Sequence, residues 1–202
     1  HKEFNMADLV QLTYGEDTEK FTLYAVNVML QCINEIPLEN DEDLAASLEG
    51  NLAQSVLEET KKGVLAEGWD INHDTDYTFS PDAQGMIPLP SNVLDISAAD
   101  GDIINRAFRL YSKSNQSHIF TDPVDCDVIW DVPFNDLPHP IRHFITLKAA
   151  RTFQSRVIGD NTQYAFNQND MEEAYLAARR SEGRTARYNI FTSGTYGATN
   201  LV

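Results

Sequence analysis

Two histidines four apart, His139 and His143, have the spacing at which one helix face offers two nitrogens to a zinc ion. Nothing else supports that chemistry. No Glu stands between them, no third ligand lies nearby, and His139 precedes Pro140, so it is expected just outside a helix that starts at the proline. Polar or capping histidines are the better reading, and no metal is expected. Three Asp-x-Asp pairs, Asp74/Asp76, Asp100/Asp102 and Asp125/Asp127, lack the further oxygens and the late Glu of a calcium loop, so they read as turn carboxylates. Two carboxylates can also flank a glycosidic bond, but among 31 acidic residues a suitably spaced pair arises by chance. No G-x-S-x-G, P-loop, dinucleotide fingerprint or Cys–His signature appears, so neither a catalytic residue nor a cofactor is expected. Cys32 and Cys126 are too few and too far apart for a disulfide framework, and Cys32 reads as a buried thiol.

The segment 137–159, a basic and apolar helix within an acidic chain, suggests a helix that something else packs against, which favours assembly over chemistry. The 202 residues, 42% hydrophobic, suffice for one domain or two small ones. No apolar run is long enough to span a bilayer, no signal peptide opens the chain, and HKEFN (1–5) reads as an appended leader before Met6. The formal net charge of -16 is uneven: the first 137 residues hold 7 Lys/Arg against 26 Asp/Glu, the remainder 8 against 5. Gripping nucleic acid requires phosphate neutralisation by cations, which an acidic body opposes. The basic C-terminal third could instead meet an acidic protein surface.

Four helices are expected. Residues 21–33 are apolar over most of their circumference, with a polar seam of Tyr24, Asn27 and Gln31, and end at Asn34 and Pro37. After an acidic linker (39–43), a second helix spans 51–66 under an Asn51 cap, with Leu52, Ala53, Val56, Leu57, Thr60 and Val64 on one arc and Glu58, Lys61 and Lys62 facing water. The third follows Pro140 and stops at Gly159; its apolar residues, Val157 and Ile158 among them, surround the axis except for two basic stripes, Arg142/Arg156 and Lys148/Arg151. The fourth contains 170–181, with Asp170 and Glu173 at capping-box spacing and Gly183 behind it. Between the second and third, residues 69–136 carry five of eight prolines and twelve Asp but no Glu, the mark of short strands and loops. Strand candidates are Trp69/Ile71/Tyr77/Phe79, Met86–Leu89, Val93–Ile96, Phe108/Leu110, Ile119–Phe120 and Val128–Val132.

The expected fold is therefore α+β: a helical bundle built from N- and C-terminal segments with an inserted small β domain. The expected boundaries are 1–5 for the leader, 6–68 for the N-terminal helical half, 69–136 for the β domain, 137–183 for the C-terminal helical half and 184–202 for an extended tail.

In order and spacing, AVNVMLQCINEIP (25–37), SLEGN (47–51), GWDIN (68–72), IPLPSNVL (87–94), LPHPIRHFITLKAARTFQSRVIG (137–159) and ARYNIF (186–191) resemble the tail tubular protein A family of short-tailed, podovirus-type phages, the adaptor or gatekeeper ring proteins. The resemblance implies a ring, typically of twelve copies, docked under the portal protein in the virion tail after synthesis in the bacterial cytoplasm. It implies a nozzle protein (tail tubular protein B) on the other face, tail fibres around the junction, and DNA passing through without specific binding. A chain that stays monomeric until it meets its portal fits this reading. The family motifs carry no catalytic residue.

Charge and aromatic spacing suggest where the contacts lie. Portal contact is expected at Arg179, Arg180, Arg184, Arg187, Tyr188 and Phe191, and subunit contact at Arg142, Lys148, Arg151 and Arg156. Two rival readings are a tail-associated hydrolase of cell-envelope polysaccharide or peptidoglycan, alone or in addition to a structural role, and a binding module unrelated to virions. Glycan turnover lost in one Asp-to-Asn variant would favour the first.

Overall fold

The computed structural model describes residues 21–99, 101–159 and 168–192; for 168 and 184–192 it describes the backbone alone. Within these residues the chain is α+β, with two hydrophobic cores. One lies among the helices and the other among the strands.

Helix α1 covers described residues 21–31 and buries Ala25, Val26, Met29 and Leu30, leaving Tyr24 and Gln31 exposed as the seam required. Asn34, at φ 62°, closes its C-terminal turn, a conformation that Asn tolerates. The acidic stretch that read as a linker is instead a short helix, α2 (Asp41–Ala46). Asn40 caps it by accepting from the Asp43 amide at 2.9 Å, and its first-turn carboxylates suit the positive end of the helix dipole. Helix α3 (Leu48–Leu65) starts three residues earlier than expected because Ser47, not Asn51, is the cap, its Oγ accepting from the Gly50 amide at 2.9 Å. Asn51 lies inside the helix and donates to the Ala45 and Ser47 carbonyls.

The expected arc of α3 needs two corrections. Leu52 is 45% exposed, whereas Lys61 is 4% exposed. Lys61 stands four residues from both Leu57 and Leu65, so it shares their buried face. Its ammonium is paired there with Glu58 at 2.8 Å and Asp131 at 3.0 Å. Burial pulls the Lys61 pKa down, but the two carboxylates more than offset this and leave it raised.

Strands β1 (His73–Phe79), β5 (Val124–Trp130) and β2 (Val93–Ser97) form an antiparallel sheet in the order β1-β5-β2. Strands β3 (Ile103–Asn105) and β4 (Leu110–Ser112) form a hairpin. The Met86–Leu89 and Ile119–Phe120 segments contribute isolated bridges, Met86 to Ile119 and Pro88 to Arg109, rather than strands. Two prolines in 86–90 explain the first, since proline gives a ladder no amide. Trp69 and Ile71 precede the sheet in a turn. The two-residue loop of the β3–β4 hairpin, Ala107-Phe108, holds both residues at positive φ (57° and 56°). That sign pattern belongs to a type I′ turn, which favours Asn-Gly; Ala-Phe there costs about 1–3 kcal/mol per residue.

Helix α4 (His139–Ile158) takes His139 into its first turn, one residue earlier than expected, and ends at Gly159 in the left-handed region. It is central: Ile141, Phe144, Ile145, Leu147, Ala149, Ala150 and Phe153 are buried. Val157 and Ile158, expected on the apolar face, lie on the last turn and are 44% and 50% exposed. Helix α5 (Gln168–Thr192) runs through both expected boundaries, so Asp170 is interior rather than a cap, and Gly183 does not stop the helix. Residues 184–192 are helical rather than extended; one glycine costs only about 1 kcal/mol in a helix, less than flanking Arg and Ala can offset. Residues 193–202 of the expected tail lie outside the described residues.

Trp69 and Asn72 tie the two cores together. Trp69 is fully buried in the helical core, and its Nε1 donates to the Val64 carbonyl at 2.7 Å. Asn72, 2% exposed, accepts the Trp69 amide at 2.9 Å and donates to Leu65 O at 3.0 Å and Trp130 O at 2.7 Å. Asn72→Ala is expected to destabilise by about 3–5 kcal/mol, since three buried backbone groups lose their partner; urea denaturation followed by fluorescence checks this. Lys61 contributes stability that is full below the unfolded-state lysine pKa near 10.4 and is lost as pH rises through its raised folded-state value. Lys61→Met should lower the midpoint at neutral pH and flatten the stability profile above about pH 10, as thermal melts from pH 7 to 11 would reveal.

Candidate assembly interface

The basic residues singled out on α4 divide by what they touch. Arg142 donates to the Asn135 carbonyl at 2.9 Å and stacks on the Phe21 ring, 3.6 Å from its centroid. Asn135 is itself fixed from α1 by Thr22, whose hydroxyl donates to Oδ1 at 3.0 Å. Arg156 forks onto Glu59 of α3 at 2.7 and 2.8 Å, and this pairing holds the Glu59 carboxyl below its usual range. Lys148 lies 5.7 Å from the centre of the Phe144 ring, and Arg151 is half-buried beside it on the same helix.

Beside the first turns of α4 a groove of about 510 Å³ opens, lined by Phe21, Tyr24, Phe134, His139, Arg142, His143 and Thr146. Phe21, Tyr24 and Phe134 give it aromatic walls, and its polar groups are the Arg142 guanidinium, two imidazoles and the Tyr24 and Thr146 hydroxyls. His139 and His143 stack with centroids 6.1 Å apart and planes 21° from parallel. Burial, with a smaller contribution from His139, lowers the His143 pKa from its ordinary value. Among the described residues no three His, Cys, Asp or Glu side chains gather as a metal-ligand group. Such a groove suits an apolar or aromatic side chain from a partner, with Arg142 at hand for a carboxylate. Helical spacing could have revealed the His139/Arg142/His143 face; Phe21 and Tyr24 join it only through the tertiary packing of α1.

On α5, Arg179 is engaged within its own chain. Its guanidinium lies 4.1 Å from the centre of the Trp69 ring, and it donates to Tyr175 Oη at 3.0 Å, Glu182 at 3.0 Å and Glu67 at 3.1 Å. Glu182 also accepts the Asp70 amide at 2.7 Å, so α5 is anchored on both sides of Trp69. Arg180, the next residue, is exposed. Arg184, Arg187, Tyr188 and Phe191 lie on the last turns of α5, where only the backbone is described.

The paired aspartates serve the sheet. Asp74 accepts from Trp130 Nε1 at 2.8 Å, Asp127 from the Asp76 amide at 3.2 Å, and Asp125 from the Thr78 hydroxyl at 2.5 Å. Asp102 accepts from the Ser112 hydroxyl and the Ser114 amide, both at 2.6 Å, and these bonds hold its carboxyl low. Asp100 lies outside the described residues. Among the described residues no helix is long and apolar enough to cross a membrane.

The family model described as Tail tubular protein matches residues 23–188 of this chain. Tail tubular protein A of Klebsiella phage KP34 is 24% identical over 169 residues, covering 83% of this chain and 89% of that relative. The matched span takes in α1 through most of α5, so both cores fall within it.

Arg179→Lys keeps the charge but loses the planar fork and most of the stacking. It is expected to cost about 1–2 kcal/mol, discounted for partial exposure, and a chemical-denaturation midpoint unchanged from wild type would remove Arg179 from the anchor.

Proposed function

The chain belongs to the tail tubular protein family, and on that footing we propose that it forms the ring adaptor between the portal and the tail nozzle of a short-tailed phage. The family is one of structural tail proteins of the virion. The adaptor role, the ring of about twelve copies and the genome conduit are our reading, and family membership is the single observation that carries it. Composition supports it: a chain at -16 can line a passage that repels phosphates at close range, with a screening length of about 8 Å at physiological salt. No catalytic step is proposed. The carboxylates whose partners are described above are occupied in turns, strand pairs and ion pairs.

In this reading the C-terminal end of α5 faces the portal, the nozzle and fibres meet other surfaces, and DNA passes without specific contacts. The division into 6–68, 69–136 and 137–183 is likewise proposed as the working plan of the subunit, with the helical halves forming the ring body. Reversing Arg180, Arg184 and Arg187 to Glu in the full chain should weaken portal binding at least tenfold. Light scattering of the chain mixed with portal checks this: wild type should shift to a portal-bound ring and the variant should not. Equal binding by both would remove these cations from the interface, and no higher assembly with wild type would defeat the adaptor reading.

A further inference from the structure

The groove beside the first turns of α4 carries a charge that its own walls do not answer. None of its described lining residues is acidic. The Arg142 guanidinium is held by the Asn135 carbonyl and the Phe21 ring, and no carboxylate pairs with it among the described residues. Burial pushes its pKa down with no acid to offset the effect. His139 and His143 add two exposed imidazoles, and Tyr24 leaves 65% of its surface open. At about 510 Å³ the groove is large enough for several side chains. An occupant that satisfies it must bring apolar or aromatic side chains together with carboxylates.

The chain that leads into the groove has that composition. Phe21, the first described residue, is itself one of the walls. The residues before it, MADLVQLTYGEDTEK (6–20), hold Leu9, Val10, Leu12 and Tyr14 within six positions. The same stretch has four carboxylates, Asp8, Glu16, Asp17 and Glu19, against one cation, Lys20. Tyr14 stands seven residues before Phe21, a length of chain that reaches about 23–25 Å at full extension and so can turn back over the groove. Gly15, between the apolar run and the acids, suits such a reversal.

We propose that residues 9–14 dock into this groove of their own chain, their apolar side chains against Phe21, Tyr24 and Phe134, and Glu16 and Asp17 beside Arg142 and the imidazoles. The tether selects this occupant over a second copy. A short flexible linker holds its end at an effective concentration of about 1 mM, so a contact with an intermolecular Kd of only about 0.1 mM is populated about 10:1. Another copy would have to reach a comparable concentration to compete. Occupied in this way, the groove is closed to other chains until the segment leaves it. The contact lies within one chain and does not depend on ring formation.

Cross-linking in the dilute full-length chain tests it. In a Cys32→Ser background, Thr13→Cys and His139→Cys are treated with a short bismaleimide, and the monomer is mapped by peptide mass spectrometry. A link between positions 13 and 139 within one chain is expected. A tether that only passes the groove would also link, so the rate decides. Leu9→Ser/Leu12→Ser/Tyr14→Ser keeps the tether length and should link about fivefold more slowly; an equal rate would overturn the docking. Links found only in dimers would assign the groove to a second copy and overturn it as well, as would the absence of any link. Glu16→Lys/Asp17→Lys alters no residue of either core and should also slow the reaction. An unchanged rate there would overturn the pairing with Arg142.

Discussion

The relative placement of sheet and helices depends on one buried side-chain amide. Asn72 commits both amide hydrogens and its Oδ1 to three backbone groups from three places: the Trp69 amide, the last carbonyl of α3 and the carbonyl that ends β5. Its own carbonyl accepts the Trp130 amide at 2.8 Å. No apolar residue of similar size could do this, since each orphaned group would carry a desolvation penalty of about 1–3 kcal/mol. Trp69, three residues earlier, places a fully buried ring against Phe144 of α4 and Tyr175 of α5. The GWDIN motif therefore joins α3, α4, α5 and β5 at one point. Gly68 belongs to the same constraint: its φ is 72°, and a Cβ there would stand 3.1 Å from Ile129 Cδ1.

The Lys61–Asp131 pair is a second tie, set one turn back along α3 and one residue beyond β5. Its Asp131 Oδ1 lies 3.0 Å from the ammonium, and the contact helps to keep the buried lysine charged. Such a pair adds less to stability than to geometry, because desolvation cancels much of the attraction. Together with Asn72 it fixes how the sheet leaves the bundle. That matters for any assembly in which the sheet of one copy must reach a neighbour.

What was legible in the sequence followed the strength of its periodic signals. The α1 seam of Tyr24, Asn27 and Gln31, the glycine ends of α3 and α4, and the Asp-for-Glu exchange that marked the strand region are local properties, so they could be read directly. The misread features turn on distant partners. Lys61 looked solvent-facing because its acceptor Asp131 is 70 residues away. The α5 helix looked shorter because Gly183 is a stop signal only where the flanks are weak. The groove residues Phe21 and Tyr24 looked like ordinary members of an apolar helix, and only packing turns them toward His139 and Arg142. Of the cations assigned to interfaces, Arg142, Arg156 and Arg179 have partners in their own chain, which charge and spacing alone could not reveal.

Those three arginines change the meaning of the charge asymmetry. The basic C-terminal third is in part an internal complement to the acidic N-terminal two-thirds: Arg156 answers Glu59, and Arg179 answers Glu67. These pairs are exposed enough that each adds little stability, about 0–1 kcal/mol, but they fix register between α3 and the later helices. Pairing also removes cations that would otherwise attract nucleic acid, so the outward charge is more uniformly negative than the chain's two halves suggest. A surface of that sign does not select partners by net attraction, because copies of an acidic chain repel. Association must then come from local exceptions, where apolar side chains and unpaired cations coincide. The aromatic groove beside Arg142, whose guanidinium is held by the Asn135 carbonyl and the Phe21 ring rather than by a carboxylate, has that make-up.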